Sequence, residues 1–138
     1  HHPMYSPASS RDNKKMRQQW NPLLDEFKVD LVLSGHDHAS SRTGLVDSKD
    51  IKNIPTGYQQ AYDPKIGTVH VVSVSGPKMY KITKGNYAKK LGENTQLYQI
   101  IDIKENELRF RAYDATGELY DEFLIQKQAG KPNLLVEK

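Results

Sequence analysis

The chain has 138 residues, of which 36% are hydrophobic and 27% charged, and it contains no cysteine. This length and composition are typical of one globular domain, and the lack of cysteine excludes disulfides, thiolate metal sites and cysteine nucleophiles. Its 20 basic and 17 acidic residues are interspersed, which predicts a solvated surface rather than a nucleic-acid interface. No apolar run approaches the ~20 residues that cross a bilayer. We therefore expect neither a nucleic acid nor a membrane as partner.

The first third of the sequence predicts a helical segment followed by a buried strand. Turn residues at 6–13 can cap a helix that begins at Lys14 and runs through Gln19. Apolar residues then recur at helical spacing, and Pro22 marks either a second short helix or a kink. The unbroken apolar run LVLS at 31–34 is typical of a strand covered on both faces. A helix leading into such a strand is half of an α/β unit.

The remainder of the chain predicts β structure. The polar sequence at 47–66 is expected to be a surface loop, and TVHVVSVSG at 68–76 a strand in which His70 is half-exposed. A second polar stretch at 84–95 follows. Three segments then alternate in polarity and predict an antiparallel meander: QLYQIIDI, LRFRAYDA and ELYDEFLIQ.

Two histidines follow the predicted strand directly, in the sequence Gly35-His36-Asp37-His38. Ligands of α/β folds gather beyond the carboxyl ends of strands, and imidazole is the commonest neutral metal ligand. A bend after the glycine would let the two rings address two different ions, with Asp37 directed toward neighbouring groups or solvent. The alternative is that both are loop histidines that cap backbone groups.

The run VDLVLSGHDH, followed by Ser41-Arg42-Thr43 and preceded earlier in the chain by HHPMYS, resembles the C-terminal part of calcineurin-like metallophosphoesterases. It is most similar to their purple-acid-phosphatase-like branch. The resemblance implies an α/β (α+β) fold class: the C-terminal part of a four-layer α/β/β/α metallophosphoesterase fold, with mixed sheet strands and a C-terminal antiparallel β meander. Residues 1–128 would be this portion of the domain, and residues 129–138 a polar tail.

The resemblance also implies metal ligands. His1 and His36 match residues that bind one metal, and His38 matches a ligand of its neighbour, whereas His2 receives no role. The ions would be two divalent or mixed-valence metals, Fe, Zn or Mn. Two such ions ~3.5–4 Å apart neutralise phosphoryl charge and generate hydroxide near neutral pH. For His1 and His2, the remnant of a purification tag is the alternative explanation.

Several motifs of the family are absent from the sequence, namely its DxH, Gly-Asp and GNH motifs. We therefore expect the chain to be a C-terminal segment that needs the N-terminal half of its own domain and is inactive alone. Plant-like members carry a histidine in this region, and Arg11 or Asp12 is near the matching position here. Arg11 could bind phosphate oxygens or simply face solvent. Tyr58 could contact substrate or pack as a lid. No catalytic residue beyond the ligands is assigned.

The preferred function is thus that of a metal-dependent phosphoesterase, a hydrolase acting on a phosphate ester through metal-activated hydroxide. Export or a periplasmic location is expected because purple-acid-type relatives are often exported. The competing hypothesis is a non-catalytic β-rich binding or accessory module whose histidines are incidental.

Overall fold

The computed structural model describes residues 1–48, 67–83 and 87–138, except for the side chain of Pro132. Tyr58 and most of the predicted loop at 47–66 lie outside the described residues. The elements in chain order are α1 Lys14–Glu26, β1 Leu31–Ser34, β2 Ser40–Val46, β3 Thr68–Val72, β4 Ala88–Gly92, β5 Leu97–Lys104, β6 Glu107–Asp114, β7 Leu119–Gln128 and β8 Lys131–Glu137. No helix in these ranges is long and apolar enough to span a membrane.

The first sheet is mixed and has the strand order β1-β3-β2-β4. Its β1 and β3 run parallel, with Val32 opposite His70, and the other pairs are antiparallel. The prediction that β1 is covered on both faces is wrong for the part of the chain that the structure describes, because Leu33 is 55% exposed there. Among the described strands, β1 also lies at the end of its sheet. The stretch expected to be polar and irregular at 84–95 contains β4, which pairs with β2.

The second sheet is an antiparallel meander with the strand order β5-β6-β7-β8. The three predicted segments form β5, β6 and β7, so the predicted meander is confirmed. The prediction of a polar tail at 129–138 is corrected, because this part of the chain contains β8, which pairs along β7. Leu135 is buried, and Asn133 donates to Asp30 Oδ1 at 2.6 Å. The tail therefore docks by backbone pairing and a few inward side chains rather than by overall hydrophobicity.

The two sheets pack face to face around one apolar core. Phe110 and Phe123 of the meander stack with ring centroids 4.7 Å apart, and Val69 and Leu45 of the mixed sheet join the same buried cluster. Burial of large aromatic and aliphatic side chains is the main favourable contribution to folding. This core anchors β3, which in turn positions β1 and the turn that follows it.

Helix α1 covers the outer face of the mixed sheet. Met16 and Leu24 belong to an apolar cluster with Val32 and Val46. The Asn13 side chain caps the helix by accepting from Met16 N at 3.1 Å. The helix is continuous through Pro22, so no second short helix forms.

The outer face of the mixed sheet also buries His70, which corrects the expectation that it is half-exposed. His70 is 4% exposed, because Tyr5 covers its ring at a centroid distance of 4.6 Å. Burial, with a smaller contribution from the charge of Arg17, lowers the pKa of His70 to about 3. This histidine is therefore a neutral part of the packing.

Candidate functional site

The beginning of the chain lies against the turn that follows β1. Gly35 N donates to the His1 carbonyl oxygen at 3.0 Å. The His1 ring lies over Gly35, where an added Cβ would be 3.5 Å from His1 Cε1. The two histidine-containing segments that the sequence singled out are thus brought to one place, at the carboxyl end of a parallel strand.

Three imidazole rings contact one another here. The His36 ring centroid is 5.4 Å from that of His1 and 3.9 Å from that of His2. His2, which the resemblance left without a role, is therefore part of the cluster. His36 has a φ of 65°, a left-handed conformation that is uncommon for residues other than glycine and that tends to occur at functional sites.

The fourth histidine of this region faces the segment 78–80. The His38 ring packs on Tyr80 at a centroid distance of 4.9 Å, and its Nδ1 is 3.0 Å from the Lys78 carbonyl oxygen. The Tyr80 backbone N–H donates to the His38 carbonyl oxygen at 2.7 Å. We call the four histidines His1, His2, His36 and His38, together with Arg11, the histidine rim.

The carboxylate of the GHDH turn points inward. Asp37 is 3% exposed, and its Oδ2 accepts a hydrogen bond from Ser6 Oγ. Its Oδ1 accepts from Arg11 Nε at 2.6 Å. Ser6 is itself buried, and its hydroxyl oxygen accepts from Ala8 N at 3.1 Å. Of the two directions expected for Asp37, the side chain takes the one toward neighbouring groups rather than toward solvent. Sequence reasoning assigned Ser6 no role, because nothing in a polar turn indicates which side chain is buried.

Arg11 joins this buried pair to the histidines. Its Nη2 lies 2.8 Å from His36 Nε2, and its guanidinium carbon lies 5.3 Å from the centroid of the Tyr80 ring. The hydrogen bond to Asp37, followed by the charge of that carboxylate, raises the pKa of Arg11. Lys78 Nζ also lies 5.5 Å from the Tyr80 centroid. Two cationic side chains, Arg11 and Lys78, thus lie beside the histidines, where positive charge favours anionic ligands.

The described residues supply only part of a two-metal centre. Imidazoles suit Fe, Zn and Mn, and His1 and His36 are neighbours. However, Asp37 already bonds to Ser6 and Arg11, and no group of three or more histidine or carboxylate side chains within the described ranges converges to hold a metal ion. A complete centre would need further ligands. The assignment of His1, His36 and His38 to metals stays a prediction.

The fold is similar to part of a known protein structure. The structure of purple acid phosphatase PPD1 from yellow lupin (Lupinus luteus) seeds matches with a TM-score of 0.72, covering 91% of this chain and 24% of that one at 20% identity. The chain therefore has the fold of part of that purple acid phosphatase. The expected fold class, with its mixed sheet and antiparallel meander, is thereby confirmed.

Two curated relatives come from Mycobacterium tuberculosis: uncharacterized protein MT2654 of strain CDC 1551 / Oshkosh and uncharacterized protein Rv2577 of strain H37Rv. Each is 36% identical in an alignment 66 residues long that covers 44% of this chain. The chain matches only 12% of the length of either relative. No family model matches the sequence.

Proposed function

We propose that this chain is the C-terminal segment of a metal-dependent phosphoesterase that hydrolyses phosphate esters. His1, His36 and His38 would be ligands of Fe, Zn or Mn ions, and Arg11 would contact phosphoryl oxygens. The observation that carries the proposal is the hydrogen bond between Gly35 and His1. It brings the two segments that resemble ligand motifs together, within a metallophosphoesterase-like fold.

The surface beside β1 supports the idea that the rest of the domain completes the site. Only one side of β1 is paired among the described strands, and an unpaired strand edge exposes backbone groups that can bond to another strand. Leu33 on β1 is 55% exposed, and Phe27, the C-cap residue of α1, is 72% exposed. Parallel strands are normally covered on both faces. An N-terminal half that pairs with β1 would cover both residues.

The direction of the chain at His1 is also consistent with this arrangement. The His1 carbonyl accepts from Gly35 just beyond the end of β1, and we propose that residues placed before His1 in a longer protein run alongside β1 as a parallel strand. Such a strand would reach the rim at the same edge as β1. This geometry is the one in which parallel strands deliver ligands to a common site.

The residues encoded upstream of His1 provide the simplest test. We expect an apolar strand directly before His1, with Gly-Asp and GNH motifs farther upstream to supply a bridging carboxylate and an asparagine. A linker or a start codon immediately before His1 would instead support the binding-module hypothesis.

Metal content provides the decisive biochemical test. The full-length protein, purified without a histidine tag and supplied with Mn or Zn, is expected to retain metal, and the double variant His36→Ala/His38→Ala is expected to lose it. His2→Ala is the matched control, because it removes an imidazole from the same cluster but no proposed ligand. Equal metal content in the wild type and the double variant would refute the ligand assignment.

The 138-residue chain alone is expected to hydrolyse an aryl phosphate ester negligibly, because the described residues do not complete a two-metal centre. Turnover is measured by release of the aryl alcohol, with and without added Mn or Zn. Robust metal-dependent hydrolysis by this chain would show that the missing motifs are not required.

A further inference from the structure

We propose that Asp37, held in place by Ser6, is a positioning residue that aims Arg11 at a phosphoryl oxygen beside His36. The chemical class of the ligand rests on the proposed function, whereas the positioning itself is argued from the contacts of these four side chains. Asp37 would not touch the substrate, and its effect would be exerted through Arg11.

The two oxygens of Asp37 have separate partners. Ser6 Oγ donates to Oδ2, and Arg11 Nε donates to Oδ1 at 2.6 Å. A buried carboxylate is stabilised only when it is paired and hydrogen-bonded. Since Ser6 is also buried and is bonded to the backbone of Ala8, the carboxylate has a fixed orientation. That orientation determines where the guanidinium group of Arg11 lies.

Anchoring through Nε leaves the outer edge of Arg11 available. A guanidinium carries five N–H groups, and within the described residues its side chain bonds only to Asp37 and His36. The remaining donors lie on the terminal nitrogens, which form the planar fork that binds phosphate with two parallel hydrogen bonds. The Tyr80 ring supports the guanidinium from one side.

A second Arg–Asp pair shows that a buried carboxylate with an exposed arginine is not a general feature of such pairs in this protein. In the Arg11–Asp37 pair the arginine side chain is 40% exposed and the carboxylate 2% exposed. In the Arg17–Asp12 pair the order is reversed, at 18% and 44%. Arg17 also donates to the Met4 carbonyl oxygen at 2.7 Å. Arg17 is therefore used in packing, whereas Arg11 is presented to solvent at the histidine rim.

The test is a titration of the ¹⁵N-labelled chain with inorganic phosphate, without metal, followed by NMR. The probes are the Arg11 side-chain Nε–H and the ring C–H signals of His36. We expect saturable shifts with a dissociation constant on the order of 1 mM, as two charge-assisted hydrogen bonds would give. Chloride at equal ionic strength is the control for screening and is expected to produce no saturable shift.

The variants separate positioning from charge. Asp37→Asn is expected to weaken phosphate binding about tenfold and to move the Arg11 Nε–H signal before phosphate is added. Arg11→Gln is expected to abolish the His36 response. Arg11→Lys keeps the charge but lacks Nε–H and the fork, so it should bind at least about tenfold more weakly. Asp12→Asn, the matched control in the other pair, should leave both probes unchanged.

Wild-type affinity in a folded Asp37→Asn variant would overturn the proposal. If that variant does not fold, the variants Arg11→Lys and Ser6→Ala test the proposal instead. Phosphate binding as tight as that of the wild type in both variants would overturn the proposal. Weakened phosphate binding in both variants would support it. Because no metal is present, the result is independent of the metal-content test. Loss of the ligand assignment with retention of Asp37-dependent phosphate binding would reject the proposed function and leave this inference standing.

Discussion

Two arginines form ion pairs with buried carboxylates but differ in how much of the guanidinium faces solvent. One lies between the two sheets and the other lies at the histidine rim. Arg42 on β2 is 4% exposed and is bonded to Asp121 through Nε and Nη2 at 2.6 and 2.9 Å, and to Glu137 through Nη1 at 2.6 Å. Among the described residues, Arg11 is paired with one carboxylate, that of Asp37, and its side chain is 40% exposed. An arginine stabilises a fold when each of its guanidinium nitrogens is bonded within the protein, as in Arg42, and it can recognise a ligand when N–H groups face solvent.

Arg42 belongs to a group that we call the intersheet ion cluster: Arg42, Lys89, Asp121 and Glu137. Lys89 Nζ lies 2.7 Å from Glu137 Oε2, and the Arg42 guanidinium carbon lies 5.0 Å from the centroid of the Phe123 ring. The cluster joins β2 and β4 of the mixed sheet to β7 and β8 of the meander. It therefore fixes how the two sheets are placed relative to each other.

The first prediction concerns the loss of Arg42 from the intersheet ion cluster. Arg42→Met is expected to lower the free energy of unfolding by about 3–5 kcal/mol, because it leaves the carboxylates of Asp121 and Glu137 buried without their main partner. Urea unfolding of the 138-residue chain, followed by far-ultraviolet circular dichroism, measures this change.

A half-exposed ion pair is the matched control. Lys127 Nζ lies 2.8 Å from Asp30 Oδ2, and the lysine side chain is 52% exposed. Lys127→Met should cost less than about 1 kcal/mol, because exposed ion pairs contribute little. If both substitutions cost the same, the buried cluster has no special part in joining the sheets.

The intersheet ion cluster also explains which strands the sequence did not reveal. Strand β2 reads SSRTGLV and is buried throughout, and β8 carries a buried Glu137. Hydrophobic periodicity treats such residues as solvent-facing, whereas here Arg42 and Glu137 satisfy each other across the two sheets. The meander was predictable because β5, β6 and β7 alternate in polarity and pair with their neighbours in sequence.

The candidate site was predictable to a similar extent. Its histidines stand out because they follow a strand and a glycine, and they resemble a family motif. The positions of Ser6 and Asp37 depend on contacts between segments that are distant in sequence, and no local pattern encodes them. The same applies to His2, whose contact with His36 follows from the path of the chain before and after β1.

The second prediction concerns the effect of the buried His70 on the pH dependence of stability. Because the pKa of His70 is about 3 in the folded state and its usual value is 6.5, only the unfolded chain takes up this proton between those pH values. The folded state therefore loses stability as the pH falls through this window. From about pH 7.5 to about pH 5 the loss attributable to His70 is expected to be about 2 kcal/mol.

His70→Leu isolates this contribution, because leucine has similar bulk and does not titrate. Unfolding free energies of the variant should fall by about 2 kcal/mol less than those of the wild type over the same pH interval. Parallel curves for the wild type and His70→Leu would mean that the folded protein accommodates a charged His70.

The smallest changes in stability are expected at two exposed apolar side chains. Comparing them tests whether the one near β1 is covered in a longer protein. Phe27, the C-cap residue of α1, is 72% exposed, and Ile103 on β5 is 75% exposed. In the 138-residue chain, Phe27→Ser and Ile103→Ser should each change stability by no more than about 0.5 kcal/mol. In the full-length protein, Phe27→Ser should cost about 1–2 kcal/mol if the N-terminal half buries this ring, while Ile103→Ser should still cost little. Equal tolerance of both substitutions in the full-length protein would mean that α1 faces solvent there too, and that the completing strand reaches β1 without covering the helix.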